Sequence, residues 1–168
     1  MEKKCCFTGH RPKSLPFGYN EEEPSCKKLK ELLSDNIERR ITENGGTHFI
    51  SGMAMGVDIF AAEAVLKLKE KYPQIKLECA IPCETQANKW SEGWRNRYFD
   101  IIGRSDDTQM LQTHYTPDCM MKRNKYMVDN SDVVIAVWNS EKSGTGNTVN
   151  YAMKSGKKVI IIDPNKLR

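Results

Sequence analysis

The 168-residue sequence lacks the features that identify most common nucleotide, metal and membrane proteins. It contains no Gly-x-x-x-x-Gly-Lys-Ser/Thr segment, which excludes a P-loop nucleoside triphosphatase. Its six cysteines form no Cys-x-x-Cys pair, and no Cys/His spacing matches a zinc site, so we expect no metal. No apolar run approaches the length that a membrane-spanning helix needs, so we expect no membrane span.

We also expect no secretory signal, because the opening Met-Glu-Lys-Lys runs directly into a strand-like segment. Several cysteines fall in apolar runs, where a free thiol behaves as a small hydrophobe. We therefore expect a reduced, cytoplasmic protein. The net charge is +4, and its 26 basic residues are scattered. This charge permits a small anionic ligand and disfavours nucleic acid as a partner, while a homo-oligomer stays open.

What the sequence does contain is an ordinary globular composition, with 39% hydrophobic and 29% charged residues. A chain of this length and composition is typical of one domain, and we expect a single domain over 1–168.

Strand-like and helix-like patterns alternate along the whole chain. The strand-like runs are 4–7, 48–50, 76–81, 108–111, 132–138 and 159–162, and the helical patterns are 29–41, 59–71, 90–103, 118–130 and a short helix through 149–153. This alternation predicts an α/β fold, a doubly wound and mainly parallel sheet with helices on both faces. The side chains expected in its core are Phe7, Ile50, Ile81, Val134, Ile135 and Ile161.

Three glycine-bearing segments each follow a strand-like run. They are Thr8-Gly9-His10-Arg11, Ser51-Gly52-Met53-Ala54-Met55-Gly56 and Ser143-Gly144-Thr145-Gly146-Asn147-Thr148. In a parallel sheet such turns open on the same edge, and glycine lets backbone N–H groups approach a phosphate. The sequence therefore predicts a nucleotide or sugar-phosphate pocket at this edge. Tight turns without a ligand remain the alternative.

Several side chains in and near these segments suit an anionic ligand. Arg11 can hold a phosphate with a two-pronged hydrogen bond, and His10 can act as an acid/base group or as a simple hydrogen bonder. Thr145, Asn147 and Thr148 can donate to phosphate oxygens.

Arg123 lies among methionines at helical spacing. Burial of its guanidinium is costly unless it reaches an anion, although the head can instead sit at the edge of the face in water. Asp58 follows the second glycine segment and is interpreted as a helix cap or first-turn acid.

Together these segments resemble the YpsA family of the SLOG superfamily. The resemblance rests on Thr8-Gly9-His10-Arg11-Pro12, on Ser51-Gly52-x-Ala54-x-Gly56-x-Asp58, and on the stretch from Asp129 through Val149, and it covers essentially the whole chain. It implies one Rossmann-like SLOG domain with a nucleotide-derived ligand, NAD- or ADP-ribose-like, at the carboxyl edge of the sheet. Such a chain would be a binding module, in the role of a sensor.

The superfamily also contains LOG phosphoribohydrolases and the DNA-processing protein DprA, which supply two alternatives. Arg123-Asn124-x-x-Met127-x-x-x-Ser131-Asp132 is similar to the LOG pattern Arg-Lys-x-x-Met-x-x-x-Ser-Asp, but Val149 and Asn150 stand where LOG enzymes carry catalytic acids. Hydrolysis of an N-glycosidic bond would need a replacement, for which the sequence offers Glu63 or Glu84.

Single-stranded nucleic-acid binding, as in DprA, is the second alternative, and the chain shows no basic groove with interleaved aromatics. Whether any reaction is catalysed stays open. The residues expected to bind the ligand are Thr8, Gly9, His10, Arg11, Ser51, Gly52, Met55, Gly56, Arg123, Gly144, Thr145, Gly146, Asn147 and Thr148.

Overall fold

Six parallel strands form one sheet in the computed structural model, which describes residues 3–167. The strands are β1 (Lys3–Gly9), β2 (Gly46–Ser51), β3 (Lys76–Ile81), β4 (Asp107–Met110), β5 (Val133–Val137) and β6 (Lys158–Ile162). Their order across the sheet is β4-β3-β2-β1-β5-β6, and every neighbouring pair is parallel. The predicted α/β fold with a parallel sheet is confirmed.

Five helices connect these strands. They are α1 (Pro24–Asn44), α2 (Val57–Lys69), α3 (Glu92–Arg104), α4 (Cys119–Asp129) and α5 (Gly144–Lys154). The longest, α1, buries Leu29, Leu33 and Ile37, which share one face because they are four residues apart. It ends at Gly45, whose left-handed backbone (φ 70°) lets its N–H bond back to the carbonyl of Arg40. Among the described residues, no helix is long and apolar enough to cross a membrane.

The helices cover both faces of the sheet. Side chains alternate along β1, so Phe7 joins the larger apolar cluster beneath α1, α2 and α3, while Cys6 joins the smaller cluster beneath α4 and α5. Phe7 stacks on Phe49 of β2, with ring centroids 6.3 Å apart. The centre of the sheet is therefore dry on both sides, as expected for parallel strands.

Five of the six predicted core side chains are buried, and the sixth prediction is wrong. Phe7, Ile50, Ile81, Val134 and Ile135 are 0–2% exposed, whereas Ile161 is 44% exposed. The reason is its position on β6, the outermost strand beside β5, where the helix layer does not fully cover the sheet. Hydrophobicity alone could not distinguish this edge strand from a central one.

Chain order creates a crevice beside β1. The strands β1 to β4 are laid down in one direction, and the chain then returns to place β5 on the other side of β1. At such a switch point, the connections after the two adjacent strands diverge to opposite faces, which leaves space at the carboxyl ends of the strands.

Candidate functional site

A cleft of about 280 Å³ lies at this switch point, and we call it the first cleft. All three glycine-bearing segments contribute to it. Its lining residues are Thr8, Gly9, His10, Arg11, Lys13, Ser14, Ala54, Asp58, Arg123, Asn124, Ser143, Gly144 and Thr145. The predicted convergence of the segments at one edge is therefore what the structure shows, and whether a ligand binds there stays a prediction.

The third glycine segment is the beginning of α5 rather than a loop before it. Ser143 is the N-cap, and its Oγ accepts a hydrogen bond of 3.0 Å from the N–H of Gly146. The N–H groups of Gly144 and Thr145 belong to the first turn, where no intrahelical carbonyl is available. They line the first cleft, so the positive end of the α5 dipole faces it.

Arg123 of α4 is buried, with 3% of its surface exposed. Its Nη1 donates to the carbonyl of Gly52 and, at 3.1 Å, to Oε1 of Gln86, while its Nε donates to Oδ1 of Asn124 at 2.8 Å. Its Nη2 faces only a weak acceptor, the sulfur of Met120 at 3.8 Å. The guanidinium is thus fixed in position and keeps donor capacity at Nη2 for an anion.

The glycine of the second segment makes room for this arginine. A Cβ at Gly52 would lie 2.8–2.9 Å from Nε, Cδ and Cζ of Arg123. Likewise, a Cβ at Gly9 would collide with Val57 at the start of α2. Glycine is needed at these two positions because other parts of the protein pack closely against them. The sequence suggested a different reason, namely that glycine lets backbone N–H groups approach a phosphate.

His10 lies at the end of β1 and is 5% exposed. Its Nε2 accepts the backbone N–H of Asn139 at 3.3 Å, so the proton of the neutral ring resides on Nδ1. Burial lowers the pKa of this imidazole below its ordinary value, more than the hydrogen bond with Asn139 raises it. The neutral ring lines the first cleft and has one N–H donor, at Nδ1.

Two exposed cations complete the positive lining. Arg11 follows β1, and Lys13 lies in the short 3-10 turn Pro12–Ser14. With Arg123 they give three cationic side chains against one carboxyl group, so the first cleft favours an anion.

That carboxyl group is Asp58, which the sequence predicted to be a helix cap or a first-turn acid. It is a first-turn acid of α2 and not its N-cap, which is Gly56. Its Oδ2 accepts the N–H of Ala54, in the loop before the helix, at 3.3 Å, and its side chain also lines the first cleft. Burial raises the pKa of Asp58 to about 6, against the opposing attraction of Arg123. The same burial lowers the pKa of Arg123. A carboxyl group in this state can exchange a proton near neutral pH.

The other predicted acids lie outside the first cleft. Glu63 is bound by Arg97 at 2.7 Å, and Glu84 is exposed on the loop after β3. Asp58 therefore replaces Glu63 and Glu84 as the candidate acid. Asp58 lies two residues after the second glycine segment, but nothing in this spacing distinguished a first-turn acid from a cleft residue.

Seven of the fourteen predicted ligand-binding residues line the first cleft, and the other seven do not: Ser51, Gly52, Met55, Gly56, Gly146, Asn147 and Thr148. Some of these support it from behind. Ser51 donates to the carbonyl of Asp58 at 2.8 Å, and Gly56 has a φ of 99° with a backbone that passes against His10. Thr148 donates to the carbonyl of Gly144 within α5, and Asn147 is exposed. Six lining residues were not predicted to bind the ligand: Lys13, Ser14, Ala54, Asp58, Asn124 and Ser143.

Within residues 3–167, no group of three or more His, Cys, Asp or Glu side chains is placed to hold a metal ion. The expectation of no metal stays a prediction.

The fold and the first cleft together define a Rossmann-like α/β domain with a cationic cleft at the carboxyl edge of its sheet. The YpsA family model, described as the YspA SLOG family, matches residues 5–167, and the chain belongs to this family. The SPbeta prophage-derived protein YoqJ of Bacillus subtilis (strain 168) is 35% identical over 146 residues, which cover 80% of this chain and 85% of YoqJ.

Two solved structures share the fold at low identity. DNA processing protein A from Helicobacter pylori, in a structure concerned with its single-stranded DNA binding mode, is 21% identical with a TM-score of 0.62. The similarity covers 96% of this chain and 65% of that one. The protein TM1055 is 16% identical with a TM-score of 0.56, over 94% of this chain and 72% of that one.

Proposed function

We propose that this protein binds a nucleotide-derived anion of the NAD or ADP-ribose kind in the first cleft, as a binding module that senses such a ligand. The observation that carries the proposal is the convergence of the α5 N-terminus with Arg11, Lys13 and Arg123 at the switch point of the sheet. Backbone N–H groups, a helix dipole and fixed guanidinium groups are the donors that phosphate oxygens need.

Isothermal titration of ADP-ribose, AMP and adenosine tests this proposal. We expect ADP-ribose to bind more tightly than adenosine, because the donors in the first cleft suit phosphates. Arg11→Ala should weaken ADP-ribose binding by roughly 1.5–3 kcal/mol, since it removes a charged hydrogen-bond donor. Added salt should weaken binding as well.

Arg95→Ala is the matched control, because Arg95 is an exposed arginine of α3 that lines neither this cleft nor its rim. Equal affinity for adenosine and ADP-ribose, or equal losses in the Arg11 and Arg95 variants, would show that phosphate recognition in the first cleft is not the function. A single-stranded oligonucleotide titrated alongside checks the DprA-like alternative, for which we expect no comparable affinity.

Hydrolysis of an N-glycosidic bond is the second candidate, and Asp58 is the observation that favours it. A buried carboxyl group with a pKa of about 6 can protonate a leaving base or activate a water molecule. The nearby Arg123 would hold the phosphate of the same substrate. Asp58 would thus supply the acid that is missing at Val149 and Asn150, the positions at which LOG enzymes carry catalytic acids.

The release of adenine from AMP, followed by chromatography, separates the two candidates. A binding module releases negligible adenine. Turnover that Asp58→Asn abolishes and Glu63→Gln retains would assign hydrolysis, because Glu63 forms an ion pair with Arg97 away from the first cleft.

A further inference from the structure

A second cleft lies beside the first, and its volume of about 630 Å³ is the larger. Its lining includes the aromatic rings of Trp90 and Tyr115, the thioether of Met120, and the polar side chains of Arg11 and Gln86. It is formed by the segment after β3 and the residues leading into α4. Of the residues in the three glycine-bearing segments, Arg11 alone is among those that line the second cleft.

The two clefts share side chains rather than merely lying close together. Arg11 lines both. Behind it, Arg123 of the first cleft donates to Oε1 of Gln86 at 3.1 Å and contacts the sulfur of Met120 at 3.8 Å, and both of those residues line the second cleft. A ligand atom held by Arg11 or Arg123 is therefore at the boundary of the second cleft.

The aromatic lining is suited to a flat ring. Trp90 is half-buried and packs on Tyr98, with ring centroids 5.3 Å apart, so its position is fixed by the core. Tyr115 is 61% exposed, so its ring is accessible to a ligand in the second cleft. Aromatic faces of this kind stack on nucleobases, and a methionine sulfur adds a polarizable contact.

We propose that the second cleft receives the aromatic base of the same ligand whose phosphates occupy the first cleft, with Arg11 between the two parts. This inference rests on the proposed function. It restricts the proposed ligands to phosphate esters whose base is separated from the phosphates. The second cleft would then provide the contacts to the base that the first cleft lacks.

Titrations with ADP-ribose and with ribose 5-phosphate, which has no base, test the assignment. Tyr115→Ala should weaken ADP-ribose binding roughly 5- to 150-fold, the range for the loss of one base-stacking ring. The affinity for ribose 5-phosphate should not change. Tyr19→Ala is the matched control, because Tyr19 is 62% exposed and lines neither cleft.

Tryptophan fluorescence gives a second readout that does not depend on a truncated side chain. ADP-ribose should quench the fluorescence of the wild-type protein, and Trp90→Phe should abolish most of that quenching, because Trp90 is a tryptophan that lines the second cleft. Ribose 5-phosphate should leave the emission unchanged. Thermal unfolding of each variant confirms that it is folded.

The outcomes separate the two proposals. Binding of ADP-ribose that is unaffected by Tyr115→Ala, with quenching retained in Trp90→Phe, overturns the second-cleft assignment and leaves phosphate binding in the first cleft standing. Failure of both ADP-ribose and ribose 5-phosphate to bind the wild-type protein overturns the proposed function and this inference together.

Discussion

At the scale of single residues, Asp58 makes the stability of the protein depend on pH. Its side chain is 6% exposed, and its pKa is raised from 3.8 to about 6 by burial. The protonated form is therefore favoured in the folded protein relative to the unfolded chain. The stabilisation that protonation provides is complete below about pH 4 and is lost as the pH rises through about 6.

Asp58→Asn should make the protein more stable at neutral pH, because asparagine stays uncharged at every pH. The shift in pKa corresponds to a gain of at most about 3 kcal/mol above pH 6, and the gain should be smaller near pH 5. Urea unfolding at several pH values measures both the gain and its dependence on pH.

Asp35→Asn controls for a general effect of removing a carboxylate, since Asp35 is exposed on α1. We expect little change in its unfolding free energy at any of these pH values. A gain for Asp58→Asn that is the same near pH 5 and near pH 8, or a loss at neutral pH, would contradict the assignment of a raised pKa.

At the scale of elements, the start of α5 determines how the first cleft presents its N–H groups. The hydroxyl of Ser143 makes two hydrogen bonds. Its Oγ accepts the N–H of Gly146 at 3.0 Å and donates to the carbonyl of Glu141 at 3.3 Å. This cap stabilises the first turn of α5. Its exposed N–H groups are then ordered toward the first cleft before any ligand arrives.

Ser143→Ala should destabilise the protein by about 1 kcal/mol, the usual cost of losing an N-cap, and should weaken the binding of ADP-ribose through fraying of the first turn. Thermal unfolding and titration measure the two effects separately.

Ser143→Asp distinguishes the cap from the ligand site. An aspartate keeps the cap and suits the helix dipole, so stability should be retained, but its charge opposes an anion in the first cleft. If Ser143→Asp binds ADP-ribose as well as the wild-type protein does, the α5 N-terminus is not part of the anion site.

The beginning of α5 also shows where prediction from sequence stops. The segment from Ser143 through Thr148 contains two glycines and no long apolar side chain, so it predicts a loop. It folds as a helix because the cap at Ser143 and the packing of Gly146 against Trp138 outweigh weak intrinsic propensity. By contrast, the predicted bounds of α2, α3 and α4 lie within two residues of the observed ones, whereas α1 begins five residues before its predicted start at 29.

At the scale of the whole molecule, the fold was predictable and the second cleft was not. Alternating patterns and buried β-branched runs predict six strands and a parallel sheet, and these are observed. The first cleft follows from strand order, because parallel strands bring their carboxyl ends to one edge. Trp90 and Tyr115 lie 25 positions apart in irregular segments, and only the tertiary arrangement places them in one cleft.

The reactivity of the cysteines measures how well the interior of the protein is closed to solvent. All six are 0–2% exposed, and burial raises the pKa of Cys6 to about 12 and that of Cys79 to about 11. Since the thiolate is the reactive form, the native protein should react with none of its thiols at neutral pH.

Titration with a thiol reagent measures this, and six thiols should become reactive in denaturant. Cys83 lines the second cleft, so it should react before the others if that cleft opens. Rapid reaction of several thiols in the native protein would contradict the dry core on both faces of the sheet.

The meeting of the two clefts at Arg11 bears on which molecules the protein can tell apart. A ligand that spans both clefts loses its translational and rotational freedom once, whereas two fragments of it lose that freedom separately. Each part of the intact ligand therefore raises the effective concentration of the other, and the fragments together cannot match the whole. Such a protein would bind the intact ligand more tightly than its base-bearing and phosphate-bearing fragments. Cleavage of the ligand would therefore lower the fraction of the protein that has a ligand bound.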